Sequence, residues 1–433
     1  MSREYKDSGI DWIGDIPKGW KIAALKQIGT YINGYAFKPE EWTDIGKPII
    51  RIQDLTGSMT SPNFYNGELD SKYLVTKGDI LVSWAATLDA FIWQKEDGWL
   101  NQHIFKALPS TNIYYQYFFW LIKVAMENMN NDNKHGIVMQ HVTTKVFGNF
   151  NVCIPTISEQ QKIADYLDKV CGEVDELVAL QETMIEELKA YKQSIITEAV
   201  TKGLNPHVPM RDSGIDWIGE IPEHWKIMPI KYIKSKEPNA FVDGPFGSNL
   251  KSEHFIENGD VLVVESGFIS TGKFIFKEFK TISKEHFETI KRSQCKAKDI
   301  IIAKIGANYG MAGELPDLGK PSVVSGNSLK ITLDNSKMLN TIFVNAMICA
   351  KSNSGFKGMV QENAQPALSL SGLNNFKLPV PPLSEQQSIA SYLDTKCTEI
   401  DALIAIKQAK IEELKDYKKS VIYEYVTGKK EVV

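Results

Sequence analysis

Residues 7–17 read DSGIDWIGDIP and residues 212–222 read DSGIDWIGEIP, with one Asp/Glu exchange between them. A tryptophan follows each copy, Trp20 and Trp225. A second repeated block lies further along: Ser158-Glu159-Gln160-Gln161 matches Ser384-Glu385-Gln386-Gln387, and Ile185-Glu186-Glu187-Leu188-Lys189 matches Ile411-Glu412-Glu413-Leu414-Lys415. The flanks stay alike while the stretches between them, 21–152 and 226–378, share almost nothing. A duplication with a constant frame and divergent inserts is what a protein needs to read two different things in one way. Drift of an ordinary duplicated scaffold is the competing explanation.

Working outward, residues 158–202 contain no proline and space Ile163, Leu167, Val170, Val174, Leu177, Met184, Leu188, Tyr191 and Ile195 three or four apart, interrupted only at Gln181. That spacing predicts a long helix with a coiled-coil seam. Ser158 with Gln161 reads as the N-terminal capping box, and Thr201-Lys202-Gly203 as the stop. The second copy carries Ile389, Leu393, Ile400, Leu403, Leu414, Tyr417 and Val421, and stops at Thr427-Gly428. At 1.5 Å per residue each helix is about 65–70 Å long. Neither stripe is stable in water, and the other helix, in an antiparallel pseudo-twofold pair, is the simplest cover.

The two centres read as mixed α/β (α+β) with many short strands, among them 48–52 and 79–84 in the first and 261–264 and 299–304 in the second. Helices are predicted over 114–126 and 338–350, late in each centre, which suggests one fold beneath the divergence.

The 433 residues suit two to four domains. The five cysteines are scattered and odd in number, pointing to a reducing, cytoplasmic setting without a disulfide framework or zinc site. No apolar run reaches the roughly 20 residues that cross a bilayer. The formal net charge of −4 hides an uneven distribution: residues 226–378 hold 20 Lys/Arg against 14 Asp/Glu, while 158–202 hold 5 against 10. A basic centre between acidic helices permits nucleic-acid binding by the centres.

The common catalytic frames fail in this sequence. Gly267 to Lys273 has the glycine and lysine spacing of a phosphate loop, but Phe274 stands where a hydroxyl is needed, so a turn between strands is the better reading. No Asn/Asp-Pro-Pro-aromatic tetrapeptide, metal-binding histidine pattern or nuclease acid–lysine cluster is present in a usable context.

The doubled DSGIDWIG opening, the variable centres and the proline-led Ser-Glu-Gln-Gln helix starts together resemble the specificity subunit of type I restriction–modification enzymes, over the whole chain. The resemblance implies a first target-recognition domain over 1–157, a first long helix over 158–203, a second recognition domain over 204–383 and a second long helix over 384–428. Each domain would read one half of an asymmetric bipartite site in double-stranded DNA. The helices would set the spacing and dock two modification subunits, with restriction subunits joining them. The chain itself is expected to be non-catalytic and without cofactor; S-adenosylmethionine, ATP and Mg belong to the partners.

Base reading takes Arg, Asn or Gln, and phosphate grip takes Lys or Arg. Two polar loops before the long helices supply Lys134, His135, Gln140 and His141, and Lys357, Gln361, Asn363 and Gln365. The segments 33–38 and 243–248, which look like the family's early recognition segment, add Tyr35, Lys38, Ser248, Asn249 and Lys251. Arg51 and Gln53 follow a strand that opens on a proline. Trp12 and Trp217 are identical between copies, so they cannot encode different sequences; they either pack the opening segment against the helices or meet the modification subunits. Glu159, Gln160, Glu385 and Gln386 join them as candidates for partner docking. A protein-binding scaffold and a lone DNA methyltransferase are the competing classes. Salt-dependent DNA binding would tell against the first, and cofactor binding by the isolated chain would revive the second.

Overall fold

The computed structural model describes residues 3–58, 61–132, 144–270, 272–360 and 366–432. The chain forms two compact units, residues 1–182 with 408–433, and residues 183–407.

In the first unit an antiparallel sheet is ordered Gly29–Asn33, Ile104–Pro109, Ile80–Ser83, Asp89–Ile92. A second is ordered Phe64–Tyr65, Lys47–Ile50, Gly98–Leu100, Leu74–Val75, with one parallel pair that sets Trp99 opposite Ile49. Asn151–Ile154 pairs antiparallel with Lys21–Ala24. Helix Tyr115–Asp132 buries Tyr117, Phe118, Leu121, Ile122 and Ala125, three and four apart, in a core shared with Ile80, Val82 and Phe105.

The second unit repeats this order strand for strand. Phe241–Asp243, Ser328–Ile331, Ile300–Ala303 and Ala312–Glu314 form one sheet. Lys280–Ile282, Val261–Val264, Ser322–Val324 and Gln294–Cys295 form the other, again with a parallel pair, Val263 opposite Val323. Lys226–Pro229 pairs with Lys377–Val380, and helix Asn340–Ser352 is buried in the same place. The centres therefore diverged in sequence on one shared fold. A hairpin of Ile269–Ser270 and Lys273–Phe274 and a helix Lys284–Thr289 are additions of the second unit. The phosphate-loop look-alike is that hairpin: Gly272 turns at φ 81°, and Lys273 bonds Asp401 on a long helix at 2.9 Å.

The long helices are Ile157–Lys202 and Leu383–Val426, and each unit takes a stretch of both. Within each unit they run antiparallel. In the first, Tyr166 packs on Tyr425 and Lys418 bonds Asp175 at 2.6 Å; in the second, Lys192 bonds Asp401 at 2.6 Å. The two ion pairs are the same bridge at the repeat offset of 226. The seam differs in detail from the heptad reading. Ile185 and Ile411 are buried in it, whereas Leu177, Tyr191, Leu403 and Tyr417, expected there, are exposed.

The helix starts also differ from expectation. The first begins at Ile157, and its cap lies two residues before the predicted Ser158: Thr156 and Glu159 form the capping box, the Thr156 N–H and Oγ1 donating to Glu159 Oε2 at 3.1 and 2.8 Å. The second begins at Leu383, one residue before Ser384. Both stop as predicted, at Gly203 (φ 76°) and Gly428 (φ 74°), where the left-handed backbone lets the chain turn beneath Trp225 and Trp20.

Candidate nucleic-acid interface

The repeated residues at the helix starts are structural clamps. Gln160, 1% exposed, accepts the Tyr114 N–H at 2.7 Å and donates to the carbonyls of Pro155 and Asn112 at 3.1 and 3.4 Å. Gln386, fully buried, accepts the Leu339 N–H at 2.8 Å and donates to Pro381 and Lys337. Each amide saturates backbone groups where a domain helix begins, which leaves an open N-terminus no orphan there. Glu159 and Glu385, half-buried, accept the indole N–H of Trp20 at 3.2 Å and of Trp225 at 3.0 Å, tying each opening segment to its helix. Partial burial raises the Glu159 carboxyl, but the bonds from Trp20 and Thr156 and the nearby Arg3 guanidinium outweigh it and hold it below the usual range. Trp217 is buried and stacks on Phe376 at 5.7 Å; Trp12, half-buried, stacks on Phe150 at 5.3 Å. Gln160, Gln386 and Trp217 thus lie in the interior, Trp217 packing its opening segment as one of the two expectations for it had it, while Glu159, Glu385 and Trp12 keep part of their surface.

What the long helices do expose is a different repeated set. Leu177, Leu180 and Tyr417 in the first unit, and their equivalents Leu403, Ile406 and Tyr191 in the second, are 46–63% exposed. Large apolar groups repeated at equivalent surface positions mark an interaction face more than isolated ones do.

The early segments of both domains are shaped by one glycine. A Cβ on Gly34 would lie 2.0 Å from the Asn101 carbonyl oxygen, and one on Gly244 would lie 1.9 Å from that of Ser325. The chain crosses a neighbouring strand end at a distance no side chain allows. Past this crossing, Tyr35 is held by its N–H to Leu100 O at 2.8 Å and packs on Phe37 and Tyr73, Phe37 packing in turn on Tyr65. Lys38 is exposed at the cap of the 3₁₀ turn Pro39–Glu41. Arg51 lies with its guanidinium 5.3 Å from the Trp42 ring centre and caps the short helix Ile52–Thr56, on which Gln53 is exposed. Because Asn101 N–H bonds Ile50 O, the structure brings Tyr35 and Arg51 to one strand end.

In the second domain Ser248, Asn249 and Lys251 are exposed. Their loop is fixed by two stacked imidazoles 4.0 Å apart: His286 bonds Asn249 O at 2.9 Å, and His254 Nδ1 accepts the Lys251 N–H at 3.0 Å. Lys357 is exposed on its loop. Lys134, His135, Gln140, His141, Gln361, Asn363 and Gln365 lie outside the described residues.

Two clusters escaped the sequence reading. Asp79 with Lys106, 2.7 Å apart and half-buried, and Asp299 with Lys330, 3.3 Å apart and buried, are one ion pair repeated in both domains. At the end of strand Phe241–Asp243, buried Asp243 meets Arg292 at 3.0 Å and Lys304 at 3.5 Å. Among the described residues no group of acids, cysteines and histidines could hold a metal ion, and no helix is long and apolar enough to cross a membrane.

Comparison with known proteins places this geometry. The family described as type I restriction modification DNA specificity domain matches twice, over residues 17–190 and 246–416. The MjaVIII specificity subunit of Methanocaldococcus jannaschii is 24% identical over 421 residues, covering 96% of this chain and 93% of its own. The EcoBI specificity subunit of Escherichia coli is 24% identical over 398 residues, covering 90% and 81%. A solved structure from work on complex assembly and conformational transition of the type I R-M system shares the fold, with TM-score 0.68 at 14% identity over 95% of this chain and 98% of that one. The chain belongs to the family of type I restriction–modification specificity subunits, with two copies of the DNA specificity domain.

Proposed function

We propose that this chain is the DNA-reading, non-catalytic subunit of its complex: each specificity domain reads one half of an asymmetric two-part DNA site, and the long helices fix the distance between the readings. The observation that carries this is the strand-for-strand identity of two domains whose loops carry different side chains, as Tyr35 and Lys38 against Pro245 and Ser248. One frame with two sets of loops suits two half-sites of different sequence.

The apolar set Leu177, Leu180 and Tyr417, repeated as Leu403, Ile406 and Tyr191, supports docking of one modification subunit per repeat. On this reading S-adenosylmethionine sits on the modification subunits, ATP and Mg on restriction subunits, and the complex works in the cytoplasm.

The test mixes the chain with its cognate modification subunit and maps new N6-methyladenine on genomic DNA. One asymmetric two-part motif is expected, with one half changed when residues 226–378 are exchanged for those of a relative. Methylation without a motif, or a motif indifferent to the exchange, would refute it. Leu177→Asp with Leu403→Asp should abolish co-purification of the modification subunit while each domain still melts normally.

A further inference from the structure

Asp243 ends a strand of the second domain and begins the loop that carries Phe246, Ser248, Asn249 and Lys251. Its side chain is 7% exposed, an expensive place for a carboxylate unless it is paired. Lys304, itself 13% exposed, supplies a counter-charge at 3.5 Å from Oδ2. Arg292 also bonds Asp243, through one Nη to Oδ1 at 3.0 Å, yet its side chain is 58% exposed. The loop backbone is fixed too: Ser293 Oγ donates to Asp243 O at 3.0 Å, and Gly244 N–H donates to Ser328 O at 3.0 Å. Phe246, 63% exposed, lies with its ring centre 4.9 Å from Lys304 Nζ.

A guanidinium carries five donors, and among the described residues this one commits a single nitrogen to a buried anchor, its side chain staying 58% exposed. Neutralising Asp243 requires a nearby cation, which Lys304 already provides; it does not require a second, exposed one. A buttressed arginine has little rotamer freedom left to lose, so it can present its fork to a guanine's O6 and N7 at low cost. The first domain lacks the device. At the equivalent positions Asn33 replaces Asp243, and Lys72 replaces Arg292; Lys72 pairs with Asp70 of its own turn at 3.2 Å and lies over Tyr73.

We propose that Arg292, aimed by the buried carboxylate of Asp243, reads a guanine in the half-site of the second domain. Arg292 touches the base and Asp243 is its positioning residue. The proposal rests on the reading of this chain as a DNA-specificity subunit.

The test uses the chain assembled with its cognate modification subunit, comparing wild type, Arg292→Lys, Asp243→Asn and the control Lys291→Ala on the same 3₁₀ turn. Methylated-adenine mapping is expected to show one G·C position of one half-site relaxed in Arg292→Lys, its discrimination falling about 10- to 100-fold. The other half should stay intact. Asp243→Asn should relax the same position less, and Lys291→Ala none. An unchanged motif in Arg292→Lys, or an even fall in methylation at every site with the motif intact, overturns the proposal, since the latter is the signature of phosphate grip. If a variant methylates too little to map, binding of the assembled complex to duplexes altered one position at a time decides. Wild-type discrimination at every position there also overturns it. A wild-type complex that gives no two-part motif refutes instead the reading on which the proposal stands.

Discussion

Replacing Asp299 by alanine removes the carboxylate around which the second domain closes. Asp299 is fully buried and accepts the Lys296 N–H at 2.9 Å, Thr332 Oγ1 at 2.5 Å and Lys330 Nζ at 3.3 Å; the Lys330 side chain is 8% exposed. Lys330 lies mid-strand between Leu329 and Ile331, so without its partner a charge is left in the core. Removing one member of such a pair costs about 3–5 kcal/mol. Lys330→Met leaves Asp299 two donors and costs less, about 1.5–3 kcal/mol, the worth of a charged hydrogen bond. The double variant leaves no charge behind, so its cost should fall short of the sum by about 1–3 kcal/mol.

The first domain provides the comparison, for Asp79 and Lys106 are 16% and 14% exposed, and water there softens the loss. Asp79→Ala should therefore cost less than Asp299→Ala. A chain of two units need not melt in one step, so the assay is hydrogen exchange read separately at Ser328–Ile331 and Ile104–Pro109, with calorimetry beside it. At about 2–4 °C per kcal/mol for a unit of this size, Asp299→Ala should lower the second unit's transition by about 6–20 °C. A shift under about 2 °C, or a double variant whose cost equals the sum of the singles, would refute the argument that the pair is an energetic unit.

Three further outcomes are expected. Ala86 sits at φ 58° where its equivalent Gly306 sits at φ 88°, so Ala86→Gly should relieve left-handed strain and stabilise by about 0.5–1 kcal/mol, seen as a small rise in Tm; a fall would mean the alanine methyl packs usefully. Gly34→Ala and Gly244→Ala should each destabilise by more than about 2 kcal/mol, because the new methyl meets a backbone carbonyl, while Gly172→Ala, with open space around it on a long helix, should stabilise by up to about 1 kcal/mol. Burial pushes the thiols of Cys153 and Cys295 up to about 12 and that of Cys171 to about 11. Their raised values favour folding below the unfolded thiol's value near 9, so this contribution is lost as pH climbs from about 9 towards 12, and iodoacetamide at pH 8 should label the half-buried Cys397 well before Cys153 or Cys295.

Much of the frame could be read from the sequence because its signals are local. A repeated opening, a proline before each long helix and a glycine after it depend on backbone chemistry within a few residues. The seam was legible only in part. A straight helix drifts about 20° per heptad from a 3.5-residue repeat, so a stripe assigned from one end slides off the contact face. That is why Ile185 and Ile411 take the positions expected nearer Met184, and why Leu177 and Tyr417 face outward. The Ser-Glu-Gln-Gln repeat is plain in the sequence, but the packing of its buried glutamine is not. Sequence shows that Gln160 is shared between copies, whereas only packing shows that its amide closes the start of a helix 46 residues earlier in the chain.

The same distinction separates the ion pair repeated in both domains from Arg292. Lys106 and Lys330 interrupt apolar strands, IFKALP and SLKI, and a lysine there announces an acid partner; Asp79 and Asp299 each stand just before a matching strand. That pair was legible in principle, since both domains keep it and its chemistry admits few alternatives. Arg292 had no such signal. It lies in a run of Lys291, Arg292 and Lys296 that looks like any solvated basic surface, and it is set apart only by Asp243, 49 residues away in the chain. A fold that varies its loops on a fixed frame places its discriminating contacts where neither periodicity nor repetition can point. In such a protein the repeated residues report how the molecule is held together; on the function proposed above, those that differ at equivalent positions, Asn33 against Asp243 and Lys72 against Arg292, are where the two readings would diverge.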